Sequence, residues 1–220
     1  MERALIIGAS GGIGTAFADA LVARGVDVVA LSRQTEGLDF SDPPAAEALL
    51  ARVEGPFDLV LVVTGALTST RDRPEKSLAE LSAEEMAAQF AVNTIGPALV
   101  MKHAKRWLPR KGRSVFAVLS ARVGSIGDNR LGGWYSYRAS NAALNQLLKT
   151  GSIELARTHK EALCVALHPG TVSTPFTENF AAPNKLAPDE SAQHLLNVLD
   201  PLGPEHSGSF YDWKGEEIPW

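Results

Sequence analysis

The 220-residue sequence has one cysteine, few aromatic residues and no long hydrophobic run. Because Cys164 has no second cysteine to pair with, an internal disulfide is excluded and a thiolate metal site is disfavoured. Aliphatic runs such as Leu59–Val63 are far shorter than the roughly 20 residues that a helix needs to cross a bilayer. Lys and Arg total 21 against 25 Asp and Glu, so the chain lacks the excess of positive charge that is typical of a nucleic-acid-binding protein. These absences predict a cytoplasmic protein with no membrane or nucleic-acid partner.

Short apolar runs alternate with longer amphipathic stretches along the chain. The runs are rich in Val, Ile and Leu, which is typical of strands buried on both faces of a parallel sheet. They lie at Arg3–Ile7, Val26–Leu31, Phe57–Val63, Ser114–Leu119, Ala162–Leu167 and, more weakly, Ser209–Trp213. Helices are predicted at about 12–25, 42–53, 82–109, 135–158 and 188–200. The pattern predicts one domain over residues 1–220, an α/β doubly wound Rossmann-type parallel sheet of about seven strands with helices on both faces.

A glycine-rich loop joins the first predicted strand to the first predicted helix. Its residues are Gly8, Ala9, Ser10, Gly11, Gly12, Ile13 and Gly14. Glycines there allow a sharp turn, a close approach of the backbone to a pyrophosphate and tight packing of helix on strand. The helix that follows offers free N–H groups to the phosphates. The loop therefore predicts a dinucleotide site, with a flexible glycine turn as the alternative, and the missing Gly-Lys-Ser/Thr excludes a P-loop.

Further motifs occur in register over nearly the whole chain, and together they resemble the short-chain dehydrogenase/reductase family. The motifs are the glycine loop, Thr64-Gly65-Ala66, Asn93 in the predicted helix 82–109, Ser120 after a strand, Tyr137 within 135–141, and His168-Pro169-Gly170-Thr171-Val172. The stretch 124–129 and the closing Ile218-Pro219-Trp220 resemble most the small carbonyl reductases that are similar to the cell-signalling C-factor. The resemblance implies an oxidoreductase that moves a hydride between a nicotinamide cofactor and a small or medium-sized carbonyl or alcohol substrate.

The end of the second strand indicates which nicotinamide cofactor is used. An acid there favours NAD, whereas a cation favours the 2′-phosphate of NADP. Arg33 can bind a phosphate through two N–H groups and Ser32 can donate a further hydrogen bond, while Asp27 begins the strand and lies at the wrong end. NADP(H) is therefore the expected cofactor and NAD(H) the alternative. Arg33 could otherwise be an ordinary solvated residue in a turn. The resemblance adds as cofactor contacts Gly8, Ser10, Gly11, Gly12, Ile13, Gly14, Asp39, Thr64, Gly65, Ala66, Asn93, Tyr137, Asn141, Pro169, Gly170, Val172 and Thr174.

The resemblance also implies the catalytic residues, with one departure from the family pattern. Tyr137 would donate the proton, Ser120 would polarise the carbonyl, and Asn93 would support a proton relay. The family places a lysine four residues after the tyrosine, on the same helix face, where its charge lowers the pKa of the phenol. Asn141 occupies that position here; it can hydrogen-bond a ribose hydroxyl but brings no charge, which predicts weakened proton transfer.

Rival residues exist for two of these roles. Tyr135 precedes Tyr137 by two residues, but Ala139 stands at its lysine position. Ser125 is the rival of Ser120, since Ser120 precedes Tyr137 by 17 residues, a longer spacing than is usual in the family. Ser120 is preferred because it directly follows an aliphatic strand.

Other features bear on function and partners. The replacement at Asn141 leaves open a second hypothesis, a nucleotide-binding protein with weak or no catalysis that acts as a sensor or signalling partner. The apolar stripes of the predicted helices 82–109 and 135–158 suggest a homodimer. Loop 173–187, with Phe176 and Phe180, suggests an apolar substrate. The five histidines lack metal-ligand spacing, so no metal is expected, and His168 is predicted to be a hydrogen-bonded residue at a strand end.

Overall fold

The computed structural model describes residues 1–178 and 184–220, and these residues form one parallel sheet with helices on both faces. The strands are β1 (Arg3–Ile7), β2 (Asp27–Leu31), β3 (Leu59–Val62), β4 (Ser114–Leu119), β5 (Ala162–His168) and β6 (Phe210–Asp212). The helices are α1 (Gly12–Ala23), α2 (Pro43–Ala51), α3 (Ala83–Phe90), α4 (Gly96–Lys102), α5 (Ala104–Trp107), α6 (Tyr135–Leu155) and α7 (Pro188–Leu199). The predicted Rossmann-type α/β class is confirmed, and α1, α2, α6 and α7 each end one to three residues before their predicted ends.

The prediction of about seven strands is wrong, because the described residues form six, in the order β2-β1-β3-β4-β5-β6. A further strand beyond β2 would have to come from the segment after it. Residues 33–37 read Arg-Gln-Thr-Glu-Gly and fold as turns, since they offer no apolar run to bury on two faces. β2 is therefore an edge strand, and most of its side chains stay partly or fully exposed.

The side chains of the inner strands alternate between two hydrophobic cores. In β1, Leu5 and Ile7 face one cluster with Leu148 of α6, whereas Ala4 and Ile6 face the other cluster with Phe17 of α1. All these residues are fully buried. Each fully buried large apolar side chain contributes about 1.5–3 kcal/mol, so both sheet faces hold the strands in place.

The predicted helix over 82–109, with the kink that Gly96 and Pro97 predict, is helical without a break from Ala83 to Lys102 but contains a π-helical turn, and it is interrupted at His103. The Ser82 hydroxyl caps α3 by accepting from the Glu85 N–H at 3.3 Å, as a serine followed three residues later by a glutamate predicts. A π-helical turn over Ala91–Ile95 then separates α3 from α4, and Pro97 lies in the first turn of α4, where a missing N–H costs least. α5 follows as a separate short turn of helix.

The strand order reverses at β1, which lies between β2 and β3. Open α/β sheets bind ligands beyond the carboxyl ends of their strands at such a point. The segments that follow β1, β3, β4 and β5 all meet at this edge, and they carry most of the predicted site residues. No helix in the described part of the chain is long and apolar enough to cross a membrane.

Candidate active site

The glycine loop between β1 and α1 has a shape that side chains would block. Gly8 adopts a φ of +97°, and a Cβ on it would lie 2.9 Å from Thr64 Cγ2. A Cβ on Gly14 would lie 2.3 Å from the Gly8 carbonyl oxygen, so this residue lets α1 pack directly against the loop. Gly11, the N-cap of α1, provides no side-chain cap, which leaves the N–H groups of the first helical turn available to an anion. This backbone cradle fits the diphosphate of a dinucleotide.

The loop after β5 closes against the glycine loop. A Cβ on Gly12 would lie 2.8 Å from Thr174 Cγ2. Thr174 begins a 3-10 turn over Pro175–Thr177, and the turn is held by a bond from the Thr177 hydroxyl to the Val172 carbonyl. Residues that the sequence places at two different strand ends therefore form one wall.

A cavity of about 1070 Å³ opens between these loops at the carboxyl edge of the sheet. Small-molecule pockets commonly measure ~300–1,000 Å³, so the cavity has room for a large ligand. Every predicted site residue lines it: Gly8, Ser10, Gly11, Gly12, Ile13, Gly14, Ser32, Arg33, Asp39, Thr64, Gly65, Ala66, Asn93, Ser120, Tyr137, Asn141, Pro169, Gly170, Val172 and Thr174. The structure thus brings together residues from seven segments of the chain, while their roles stay predictions.

Polar groups surround the carboxyl end of β2. Arg33 is exposed at the cavity wall. The Asp39 carboxylate accepts from the Ser41 N–H at 2.9 Å and the Ser41 hydroxyl at 2.8 Å; these bonds, with a smaller effect of Arg33, hold the pKa of Asp39 below its usual value. The Glu36 carboxylate accepts from the Ser32 N–H at 2.7 Å, a contact that the sequence analysis missed. This end of the cavity therefore offers an unobstructed cation beside two carboxylates that are already hydrogen-bonded.

Tyr137 lies in the first turn of α6, at the cavity wall and half-buried. Burial raises the pKa of its phenol above the ordinary value, and an interaction with the Asn141 side chain acts in the opposite direction. The Tyr137 ring lies 6.1 Å from the Phe176 ring, centre to centre. Tyr135, the rival, is not among the described residues that line the cavity.

Asn141 is buried one turn further along α6. Its Nδ2 donates to the Tyr137 carbonyl oxygen at 2.9 Å, and its Oδ1 lies 3.4 Å from the Ser120 hydroxyl. A Cβ on Gly124 would lie only 2.6 Å from Asn141 Cβ, so the loop after β4 packs directly on this residue. Asn141 therefore fills the position of the family lysine with a neutral side chain that bonds within its own helix.

Ser120 directly follows β4 and is 5 % exposed. Its hydroxyl donates to Asn145 Oδ1 at 2.7 Å. Ser125 lies away from the cavity lining, with its hydroxyl bonded to the Pro219 carbonyl. Asn145 was missed by the sequence analysis; the available signal was its spacing, since it lies one helical turn beyond Asn141 on the same face.

Asn93 lies in the π-helical turn and hydrogen-bonds both to the loop after β3 and to α6. Its Oδ1 accepts from the Ala66 N–H at 2.7 Å, and its Nδ2 donates to the Ala66 carbonyl at 2.8 Å and to the Ser140 hydroxyl at 3.1 Å. Thr94 adds a bond to the Ser140 carbonyl at 2.7 Å. The loop after β3 is thereby fixed to α6 beside Tyr137.

Two buried glutamates order the loop between β3 and α3, and the sequence predicted this role for neither, since it indicated Glu85 only as part of a capping sequence with Ser82. Glu75 is fully buried and accepts from the Ser136 hydroxyl and, at 3.4 Å, from the Ser136 N–H. It therefore caps the first turn of α6 from outside the helix. Glu85 accepts from the Thr70 N–H at 2.6 Å and from Gln89 Nε2 at 2.7 Å. Burial alone would raise the pKa of Glu85, but these hydrogen bonds outweigh it and lower the pKa.

His168 also lines the cavity, at the end of β5. The prediction that it is fully hydrogen-bonded is wrong: its Nδ1 is buried without a hydrogen-bond partner among the described residues. Burial lowers the pKa of the imidazole to about 4, although Asp212 opposes the shift. His168 is therefore neutral near pH 7. The predicted substrate contact Phe176 lines the cavity, whereas Phe180 lies outside the described residues.

Comparisons with known proteins agree with this site. A family profile described as "Enoyl-(Acyl carrier protein) reductase" matches residues 8–201. The chain is 31 % identical to 1-hydroxy-2-glutathionyl-2-methyl-3-butene dehydrogenase of Rhodococcus sp. (strain AD45), over 100 % of both chains. It is 35 % identical to C-signal of Myxococcus xanthus, over 66 % of this chain and 84 % of that protein. The chain belongs to the short-chain dehydrogenase/reductase family, a class of NAD(P)-dependent oxidoreductases, as the motifs predicted.

Solved structures show the same architecture. The NADPH-bound carbonyl reductase from chicken fatty liver superimposes with a TM-score of 0.83 at 25 % identity, covering 100 % of this chain and 99 % of that one. A Burkholderia multivorans member of the same family, solved with bound NADP, gives 0.79 at 25 % identity, with 100 % and 99 % coverage. A carbonyl reductase from Pseudomonas aeruginosa PAO1 gives 0.76 at 27 % identity over 100 % of both chains. The predicted likeness to the carbonyl reductase branch is confirmed.

Proposed function

We propose that this chain is an NADP(H)-dependent reductase that transfers a hydride between the nicotinamide and a small or medium-sized carbonyl or alcohol substrate. One observation carries the proposal: a single cavity runs from the glycine loop at the start of α1 to the Tyr137 phenol and the Ser120 hydroxyl. An anion site built from backbone N–H groups and a half-buried proton donor therefore share one space. A dinucleotide is long enough to occupy both.

The preference for NADP(H) rests on the wall beside β2. Arg33 is an exposed cation there, and the Asp39 carboxylate is already occupied by two bonds from Ser41. The solved relatives that carry NADPH or NADP support the same choice. The diphosphate would lie on Gly8, Gly12 and Gly14, the 2′-phosphate on Ser32 and Arg33, and the nicotinamide amide on Val172 and Thr174.

The reaction divides between the cofactor and the protein. When bound, NADPH would supply the hydride for the carbonyl carbon. Tyr137 would give its phenolic proton to the substrate oxygen; burial keeps this phenol protonated at neutral pH. Ser120 would make the second hydrogen bond to that oxygen. Asn93 would support proton supply through its bond to Ser140, and Asn141 would bind a ribose hydroxyl with its remaining amide hydrogen.

Cofactor choice is tested by measuring the fluorescence of NADPH and NADH on titration with protein. The wild type should bind NADPH at least tenfold more tightly than NADH, because Arg33 would pair with the 2′-phosphate. Arg33→Asp should abolish that preference. Arg130→Asp, which changes an exposed arginine outside the cavity lining, is the matched control and should keep it. Equal affinities of the wild type for both cofactors would rule out the NADP assignment.

Catalysis is tested by following NADPH oxidation with a panel of aldehydes and ketones. Tyr137→Phe should lower kcat at least 100-fold while the NADPH dissociation constant changes less than threefold, because Tyr137 is the proposed proton donor but only one of many proposed cofactor contacts. Tyr135→Phe removes the neighbouring phenol and should retain most of the rate. Loss of turnover in Tyr135→Phe but not in Tyr137→Phe would show that Tyr135, and not Tyr137, is the proton donor.

A second function is favoured by one observation, the neutral Asn141 in place of the family lysine. In this alternative the chain binds the nucleotide with weak or no catalysis and acts as a sensor or signalling partner. Its likeness to C-signal of Myxococcus xanthus adds support. Tight NADPH binding without turnover of any carbonyl in the panel would favour this alternative.

We also propose that α6 and the turn before α4 form a homodimer interface. Three large apolar side chains are exposed there: Ile95 at 43 %, Leu147 at 39 % and Ile153 at 56 %. Sedimentation velocity should show a dimer for the wild type and a monomer for Ile153→Lys, since a buried lysine would have no partner. A monomeric wild type at all concentrations would contradict this arrangement.

A further inference from the structure

The turn after β2 carries a carboxylate beside the residues proposed to bind the 2′-phosphate. Glu36 Oε2 accepts from the Ser32 N–H at 2.7 Å and also from the Thr35 hydroxyl. The Ser32 and Thr35 hydroxyl oxygens lie 2.7 Å apart, which links the same residues a second time. The Glu36 side chain is exposed, yet these bonds hold its charge at the end of β2. The carboxylate is therefore fixed beside Ser32, a residue that lines the cavity.

The charges at this end of the cavity favour a phosphate less than Arg33 alone would. Among the described residues that line the cavity, Arg33 is the only arginine or lysine. Asp39 lines the same end, and its lowered pKa keeps it ionised near pH 7. One positive and two negative side chains therefore surround the place proposed for a phosphate whose own charge is about −2.

The Glu36 carboxylate can act on that phosphate without touching it. Glu36 is not among the described residues that line the cavity, so it does not fill the space of the ligand. It lies one hydrogen bond from Ser32, well within the roughly 10 Å over which charges interact at 0.1 M salt. NADH carries a neutral 2′-hydroxyl in place of the phosphate. The repulsion therefore acts on NADPH and not on NADH.

We propose that Glu36 is a specificity-determining residue whose negative charge opposes the 2′-phosphate and makes the preference for NADP(H) smaller than Arg33 alone would give. The inference rests on the proposed function, which places that phosphate on Ser32 and Arg33. Glu36 thus leaves the protein able to use NAD(H) as a second cofactor. Its hydrogen bond to Ser32 is what keeps the charge close enough to matter.

The test measures the dissociation constants of NADPH and NADH by cofactor fluorescence in a charge series at position 36. Glu36→Gln removes the charge but keeps an oxygen that accepts from the Ser32 N–H. It should tighten NADPH binding about three- to tenfold and change NADH binding less than twofold. Glu36→Lys reverses the charge and loses the acceptor, and it should tighten NADPH further relative to NADH. Weaker binding of both cofactors to Glu36→Lys would show a structural role instead and would overturn the inference.

Salt gives a readout that only a charge effect moves. The gain in Glu36→Gln should fall below twofold in about 1 M NaCl, where charges are screened within ~3 Å. Glu161→Gln is the matched control: exposed Glu161 also accepts a backbone N–H, from Gly112 at 3.0 Å, but it precedes β5 at the opposite edge of the sheet. This control should leave the ratio of the two constants unchanged.

Two results would contradict the role of Glu36 and leave the proposed function standing. One is an unchanged ratio of the NADPH and NADH dissociation constants in Glu36→Gln, and the other is a gain that persists in about 1 M NaCl. Absence of NADPH binding to the wild type would instead overturn the proposed function, and the inference with it.

Discussion

The amide nitrogen of Asn141 donates to the carbonyl oxygen of Tyr137, 2.9 Å away, so the residue at the family's lysine position bonds to the tyrosine's own backbone. A lysine would place a charge near the phenol instead. The neutral amide leaves burial as the dominant influence on the Tyr137 phenol, whose pKa is raised. Tyr137 therefore keeps its proton but gives it up less readily than a lysine-assisted tyrosine.

Asn141→Lys should raise kcat for carbonyl reduction about 10- to 100-fold. The lysine charge should lower the pKa of Tyr137 by about one or two units, which makes the phenol a stronger acid. The measurement is steady-state NADPH oxidation across pH 6–9. Asn141→Leu, which removes the amide without adding charge, is the control and should not gain activity. An unchanged rate in the folded lysine variant would show that charge at position 141 does not limit proton transfer.

His168 should make stability depend on pH. Its pKa is about 4 in the folded protein and 6.5 when unperturbed. The unfolded chain therefore binds the proton first, and stability falls as pH drops from about 6.5 to 4, by up to about 3 kcal/mol for a shift of this size.

Urea unfolding at pH 7 and pH 5 measures this dependence. His168→Gln should reduce the difference between the two pH values, because the titrating group is gone. His194→Gln, which removes a partly exposed histidine, is the control and should keep the wild-type difference. Asp212 and Arg122 act on His168 with opposite signs and remain in both variants. If the stability difference between pH 7 and pH 5 is the same in His168→Gln as in the wild type, the pH dependence comes from other groups.

Glu75→Ala should lower the free energy of unfolding by about 1–3 kcal/mol, because the buried Ser136 hydroxyl and N–H lose their acceptor. The first turn of α6 carries Tyr137, so kcat should fall as well. Chemical denaturation and NADPH oxidation measure the two effects. Glu84→Gln changes an exposed glutamate of α3 and should alter neither. Wild-type stability in Glu75→Ala would show that the cap is dispensable.

Ser125→Ala decides between the two candidate serines. Its hydroxyl bonds to the Pro219 carbonyl and accepts from the Asp128 N–H at 3.0 Å, so its loss should lower stability by about 1 kcal/mol. Carbonyl reduction should stay within about threefold of wild type, since Ser125 does not line the cavity. A 100-fold loss of kcat in the folded variant would transfer the role of Ser120 to Ser125.

Local sequence was sufficient for much of the fold. β1 and β4 match their predicted bounds, because continuous aliphatic runs have one stable place between two helical layers. The π-helical turn between α3 and α4 was only partly predictable from the sequence. Pro97 predicts a disturbed helix, but the π-helical turn just before it depends on tertiary packing. A Cβ on Gly96 would lie 2.5 Å from Phe40, a residue distant in sequence.

The sequence by itself determined the family, the glycine loop and every residue predicted to line the cavity, because these follow from short motifs whose spacing is fixed by strand ends and helix starts. The tertiary structure alone decided the roles of Glu75 and Asn145 and the burial of His168 Nδ1 without a hydrogen-bond partner among the described residues. Each of these depends on a partner far along the chain or on burial. Hydrogen bonding and desolvation act through space, so the same polar residue is a surface group or a fixed part of the site according to what the fold places beside it.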